Sequence, residues 1–187
     1  MAIVDANYRF IAAAQEANAR IAQRQQSISL YVTIVLSLLA AMVALGNGHA
    51  GGAPEVAWLL LGFPLASLCL VFLNYRSEVA LANLRRFLSE LEQLDGAHER
   101  LPSFNTDARW TLAANKARKF HDIASAVLAA GAHAIGIAVA SSAAGSSQQT
   151  LVLSVITGVA GVAVTIALLI IPRWQYQPET RDVSQSA

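Results

Sequence analysis

The sequence predicts an all-α polytopic membrane protein: four transmembrane helices with helical extensions on one side of the bilayer. Three observations predict it. Four apolar stretches, at 28–46, 56–73, 123–140 and 151–171, contain no Asp, Glu, Lys or Arg. Only 13% of the 187 residues are charged and 55% are hydrophobic, a balance that departs from that of soluble domains and fits a membrane chain. The 13 basic residues are also distributed one-sidedly.

Each stretch is long enough, at about 1.5 Å per residue, to cross a hydrocarbon layer of about 30 Å. The third is the weakest. It is mostly alanine and carries His133, so a re-entrant hairpin is its competitor. The basic residues decide for a full crossing. The short loops at 47–55 and 141–150 contain no Lys or Arg, whereas the segments before 28, between 73 and 123, and after 171 contain all of them. Those three segments share one side only if there are four spans. The positive-inside rule makes that side cytoplasmic, with both ends facing the cytoplasm, and in a bacterium the bilayer is the inner membrane. Trp58 marks the outer boundary, and Tyr75, Trp174 and Tyr176 the inner one. The first 26 residues are mixed and polar, which predicts insertion through internal helices and not through a cleaved leader.

The charged segments also read as helices. Residues 1–27 contain neither Pro nor Gly and should run as one helix into the first span. At 74–122 the chain should form a helical hairpin. Its first arm carries Leu81, Leu84, Leu88 and Leu91 at 3, 4, 3 spacing, widened by Phe87, an amphipathic stripe suited to docking a cytoplasmic partner. Asp95-Gly96 ends that arm and Pro102 lies in the turn. Asn105 or Thr106 caps the second arm, with Asp107 in its first turn. Trp110, Ala113, Ala117, Phe120 and Ala124 give the second arm an apolar side, and Trp110 joins the docking face. The tail at 172–187 is polar and predicts disorder after residue 177.

Within the spans, His133 is the residue of most interest, because an ionisable group at mid-membrane depth needs a partner or a purpose. It shares a helical face with Asp122, Ser125, Ala129 and Gly136. That face either lines a polar path or lets a neutral imidazole bond a neighbouring helix. The fourth span has a small and polar stripe at Ser154, Thr157, Gly158, Gly161 and Thr165, and the first has Ser29, Thr33 and Ser37. Small residues at such spacing favour close helix packing and assembly into a homo-oligomer; a weakly polar pore is the sharper alternative. Gly62 and Pro64 predict a kink in the second span. Arg109, Lys116, Arg118, Lys119 and Arg173 form a basic collar suited to lipid headgroups or other anions, while Arg85-Arg86 reads as a solvated pair.

Little supports catalysis. No G-x-S-x-G, Walker loop, H-E-x-x-H or C-x-x-C occurs. His98-Glu99 lacks a second histidine, His49 stands in a glycine-rich loop, and the one cysteine, Cys69, lies in an apolar run. No cofactor or metal site is expected. A net charge of +1 points away from direct nucleic-acid binding and leaves membrane lipids and a cytoplasmic protein as the expected partners.

The long N-terminal helix entering the first span, YRFIAAAQEANARIAQRQQSISLYV, and the helical insert between spans two and three resemble small four-span membrane components of bacterial anti-phage defence systems. These include the four-helix effectors of second-messenger systems and the membrane subunit of the Kiwa system. The resemblance is architectural and covers most of the chain. It implies an oligomeric membrane sensor or effector that works with a cytoplasmic partner. A small channel or proton carrier with His133 in its path, and a passive membrane anchor or assembly factor, are the competing expectations.

Overall fold

The computed structural model describes residues 5–47, 54–96, 99, 103–144 and 147–178. His49, His98, Arg100, Pro102, Arg181, the outer loop up to residue 53 and the tail from 179 lie outside the described residues. Every described element is helical: α1 (Ala6–Asn47), α2 (Pro54–Leu59), α3 (Gly62–Glu92), α4 (Ala108–Ala144) and α5 (Gln148–Ile170), with single 3-10 turns at Leu94–Gly96 and Ile171–Trp174. Four helical stretches are long and apolar enough to cross a membrane: α1, α2 with α3, α4, and α5 with the turn after it.

With 42 residues, α1 is about 63 Å long, roughly twice the hydrocarbon thickness. It projects beyond the first span as an unbroken rod. The third span is likewise continuous within the 37-residue α4, long and apolar enough to cross a membrane and without the break a re-entrant hairpin needs. The second span is broken instead. Its turn at Leu60-Leu61 separates α2 from α3. The cause is Pro64, which has no N–H to offer the Leu60 carbonyl four residues back. Thr157 of α5 supplies a substitute donor, its hydroxyl reaching the Leu60 carbonyl at 3.4 Å, while the Phe63 amide donates to the same oxygen at 3.3 Å. A buried Thr157 in the fourth span thus satisfies a carbonyl that has no water to turn to.

Helices α1 and α3 form one antiparallel hairpin, and α4 and α5 a second. The hairpins lie side by side, α1 against α4 and α3 against α5. The core within the spans is filled by side chains: Tyr31, Val35 and Met42 of α1; Val56, Leu60, Phe63 and Leu70 of the second span; alanines 126, 129, 132 and 140 of α4; Leu153, Val164 and Leu168 of α5. Small residues set the closest approaches. A side chain at Gly136 would strike the Phe63 ring at 2.9 Å, and one at Gly161 would strike the His133 ring at 2.8 Å.

At the end that carries the basic residues, α1, α3 and α4 continue past the apolar spans as a three-helix stalk. Asp95 (φ 54°) and Gly96 (φ 69°) take left-handed conformations and stop α3. The cap of α4 differs from the sequence expectation. Asp107 precedes the helix, its carboxylate accepting from the Arg109 amide at 2.9 Å. Asn105 and Thr106 instead present their amides to the Glu92 carboxylate at 3.0 Å, tying the start of α4 to the end of α3.

Candidate functional site

One seam of buried residues runs the length of α3: Phe63, Ser67, Leu70, Asn74, Glu78, Leu81, Arg85 and Leu88. Every spacing is three or four, so all eight share one helical face. A matching face of α4 holds Thr111, Asn115, Asp122, Ser125, Ala129 and His133, and Arg24 enters from α1. The three faces meet where the uncharged spans end, and there the core changes from apolar to ionic.

Glu78 is the hub, with none of its side chain exposed. Its carboxylate accepts from Arg24 Nη1 at 2.9 Å and from Arg118 Nη1 at 3.2 Å. Arg24 Nη2 also donates to the Asp122 carboxylate, and Arg118 Nη2 to the Asn115 side-chain oxygen. Two guanidiniums and two carboxylates are therefore balanced inside the protein, which burial requires. Two turns further along α3, Arg85 donates to Asn115 at 3.4 Å and lies 5.9 Å from the centre of the Phe104 ring, within cation–π range. The Asn115 amide in turn donates to the Tyr176 carbonyl at 2.8 Å, anchoring the chain that follows α5. Tyr75 and Trp174 close that side edge to face, with centroids 5.4 Å apart.

Burial marks the titration of these groups. Desolvation pulls Arg24 and Arg118 below the ordinary guanidinium value, with Glu78 opposing. Burial first, and repulsion from Arg118 second, lower Arg85 to about 10. His121 is depressed by burial and then by the neighbouring Arg24 charge, which keeps its imidazole neutral. Several polar atoms in this layer have no protein partner: Arg24 Nε, Arg118 Nε, Asp122 Oδ2, His121 Nε2 and both amide atoms of Asn74. Both donors and acceptors are thus left unpaired in the layer.

Chain comparisons leave this arrangement to stand alone. No protein-family model, curated protein or solved structure matches the chain. What the layer does must come from its own chemistry.

The sequence-derived candidates fall into three groups. His133 does share one buried face with Asp122, Ser125, Ala129 and Gly136. However, it bonds its own helix and not a neighbour: Nδ1 donates to the Ala129 carbonyl at 2.7 Å. Its ring rests against Gly161 and 6.4 Å from Phe63, and Nε2 is enclosed without a partner. Ser125 returns its proton to the His121 carbonyl. Of the α5 stripe, Thr157 and Gly161 are buried, while Ser154 and Gly158 are half-buried. The Ser29, Thr33 and Ser37 hydroxyls face outward and bond carbonyls of their own helix.

The docking stripe on α3 needs correction. Leu81 and Leu88 are buried inside the stalk and Leu84 and Leu91 are half-buried, so these leucines serve internal packing; Phe87 alone of that stripe is exposed. On α4 the apolar side faces outward, with Trp110, Ala113, Ala117, Phe120 and Ala124 exposed, because the polar side is committed to the charge layer.

Two of the collar residues also have protein partners. Arg118 points inward to Glu78, drawn by a carboxylate that water does not reach. Exposed Arg109 is bonded by Asp107 at 2.7 Å, and that contact holds the Asp107 carboxyl below its usual range. Lys116, Lys119 and Arg173 lie on the surface. Arg85 is buried and not part of a solvated pair. Sequence reasoning missed Arg24 and Glu78 entirely. Their signal was available: each falls in phase with the apolar seam of its helix, Arg24 seven residues before Tyr31, and Glu78 between Leu70 and Leu81.

Proposed function

We propose that this protein is a docking subunit of the bacterial inner membrane, with its basic stalk in the cytoplasm and no catalytic role of its own. The observation that carries the reading is the inverted polarity of the start of α4. Thr111, Asn115, Arg118 and Asp122 face inward, while Trp110, Ala113, Ala117 and Phe120 face outward. Together with exposed Phe104 and Leu112, this leaves apolar surface on a stalk that stands clear of the bilayer, where cover by another protein is favourable. Lys116 and Lys119 border it, so the partner that fits presents an apolar face with an acidic edge. The likeness to four-span defence components supports a cytoplasmic partner and a homo-oligomeric membrane part, in which docking bends or spreads the stalk and the charge layer carries that movement to the spans.

The test is affinity purification from native membranes with wild type, Ala113→Glu and Ala117→Glu. Loss of one stoichiometric cytoplasmic protein from both variants, with thermal stability unchanged, is expected. A strictly monomeric wild type with nothing copurifying overturns the reading.

Proton or solute transport through His133 is the second reading. The polar seam from Asp122 to His133 and the unpartnered Nε2 favour it. The packed layer of Phe63, Leu60, Val56 and Met42, all fully enclosed, opposes it within a single subunit. Liposome flux that disappears in His133→Ala is its signature. A passive anchor predicts instead that Ala113→Glu and Ala117→Glu change nothing.

A further inference from the structure

We infer that the α1/α3 surface holds a specific site for an anionic phospholipid, at the level where the spans meet the stalk. A cleft of about 360 Å³ opens between the two helices there. Arg20, Gln23, Gln26 and Ser27 line it from α1, Arg76 and Ser77 from α3, and Leu30 and Leu73 form its margin toward the span. The inference rests on the membrane-spanning reading of the helices and not on the docking proposal.

The lining is arranged as an amphiphile is arranged. Two guanidiniums, two amides and two hydroxyls occupy the end beyond the uncharged stretch. The two leucines stand within it, both exposed to the lipid side. Guanidinium groups bind phosphate oxygens in a planar fork, and basic clefts between membrane helices at headgroup depth capture anionic lipid. Of the described arginines, only Arg20 and Arg76 line this cleft. Arg24, Arg85, Arg109 and Arg118 all bond protein acceptors. Arg20 pairs with Glu16 one turn away and reaches Gln23. Arg76 makes no ion pair among the described residues and is exposed at the boundary. It is the free cation of the cleft, and the apolar margin distinguishes a lipid from a soluble phosphate.

Native mass spectrometry of the delipidated full chain tests this, titrated separately with phosphatidylglycerol, phosphatidylcholine and glycerol 3-phosphate. Phosphatidylglycerol should bind with at least about fivefold preference over phosphatidylcholine, a factor near 1 kcal/mol. Arg76→Ala should abolish the preference, and Arg86→Ala, exposed on the same helix outside the cleft, should preserve it. Equal loss in both variants would show undirected attraction to the basic end and overturn the site. Glycerol 3-phosphate binding as tightly as phosphatidylglycerol, with the same dependence on Arg76, would assign the cleft to a soluble phosphate and also overturn it. Should the chain stay dispersed without detergent, the membrane reading itself would fail, an outcome distinct from any of these.

Discussion

Glu78→Gln isolates the charge layer, because it preserves shape and removes one charge. The wild-type carboxylate is fully enclosed and faces Arg24 and Arg118 at 2.9 and 3.2 Å. With charge centres about 4 Å apart and an effective dielectric constant of about 20, each attraction is worth about 4 kcal/mol. Relief of the carboxylate's own desolvation offsets part of that. What remains is the cost of leaving Arg118 without a carboxylate and Arg24 with Asp122 alone, and breaking a buried pair in this way costs about 3–5 kcal/mol. For a chain of this length, 1 kcal/mol shifts the melting temperature by about 2–4 °C. Thermal unfolding in detergent micelles, followed by circular dichroism, should therefore show a fall of about 6–20 °C. Glu90→Gln, exposed on the same helix, should move it by less than about 2 °C. A quadruple variant with Met at 24 and 118 and Leu at 78 and 122 should recover most of the loss, since an apolar layer of similar volume carries no unpaired charge. If Glu78→Gln melts within about 2 °C of wild type, the layer is not what joins stalk to spans.

Three further outcomes follow from the same geometry. Thr157→Val removes the hydroxyl that serves the Leu60 carbonyl and should cost about 1–3 kcal/mol; in a Pro64→Ala background, where the backbone regains its own donor, a double-mutant cycle should show a smaller cost. Gly161→Ala forces a methyl against the His133 ring and should cost about 1–3 kcal/mol, with His133→Ala restoring stability in the double variant. His121 has its folded-state pKa depressed by burial and by Arg24, so the unfolded chain binds the extra proton. Stability should hold above the unfolded value of about 6.5 and fall as pH drops through it toward the folded value. His121→Gln should flatten that part of the profile, read as melting temperature against pH between about 5 and 8.

The spans were legible in the sequence because lipid imposes a rule visible residue by residue: no charge for about 20 positions. The long rods of α1 and α4 were legible for a related reason, since helix formers continue across each boundary without Gly or Pro breaks. The stalk interior was harder. The expectation followed the leucines of α3 and the alanines and aromatics of α4, as hydrophobic periodicity directs. That assigns Leu81 and Leu88 to the surface only if nothing else covers them, and α1 and α4 do. In α4 periodicity fails outright, because the buried face is Thr111, Asn115, Arg118 and Asp122. Such a face is recognisable only by partner: an acid in phase on α3, a base in phase on α1. Those pairings are long-range facts that one helix cannot announce. Pro64 announced the break in the second span, but not that Thr157, 93 residues away in the chain, would mend it.

The wiring of the ion pairs bears on how the chain is made. Arg24 and Glu78 belong to the first hairpin, Arg118 and Asp122 to the second, yet two of the three bonds cross between them. A newly inserted first hairpin therefore carries a carboxylate and a guanidinium whose full complement has not been synthesised. Until the second hairpin arrives, an incomplete product exposes charge that the finished protein encloses.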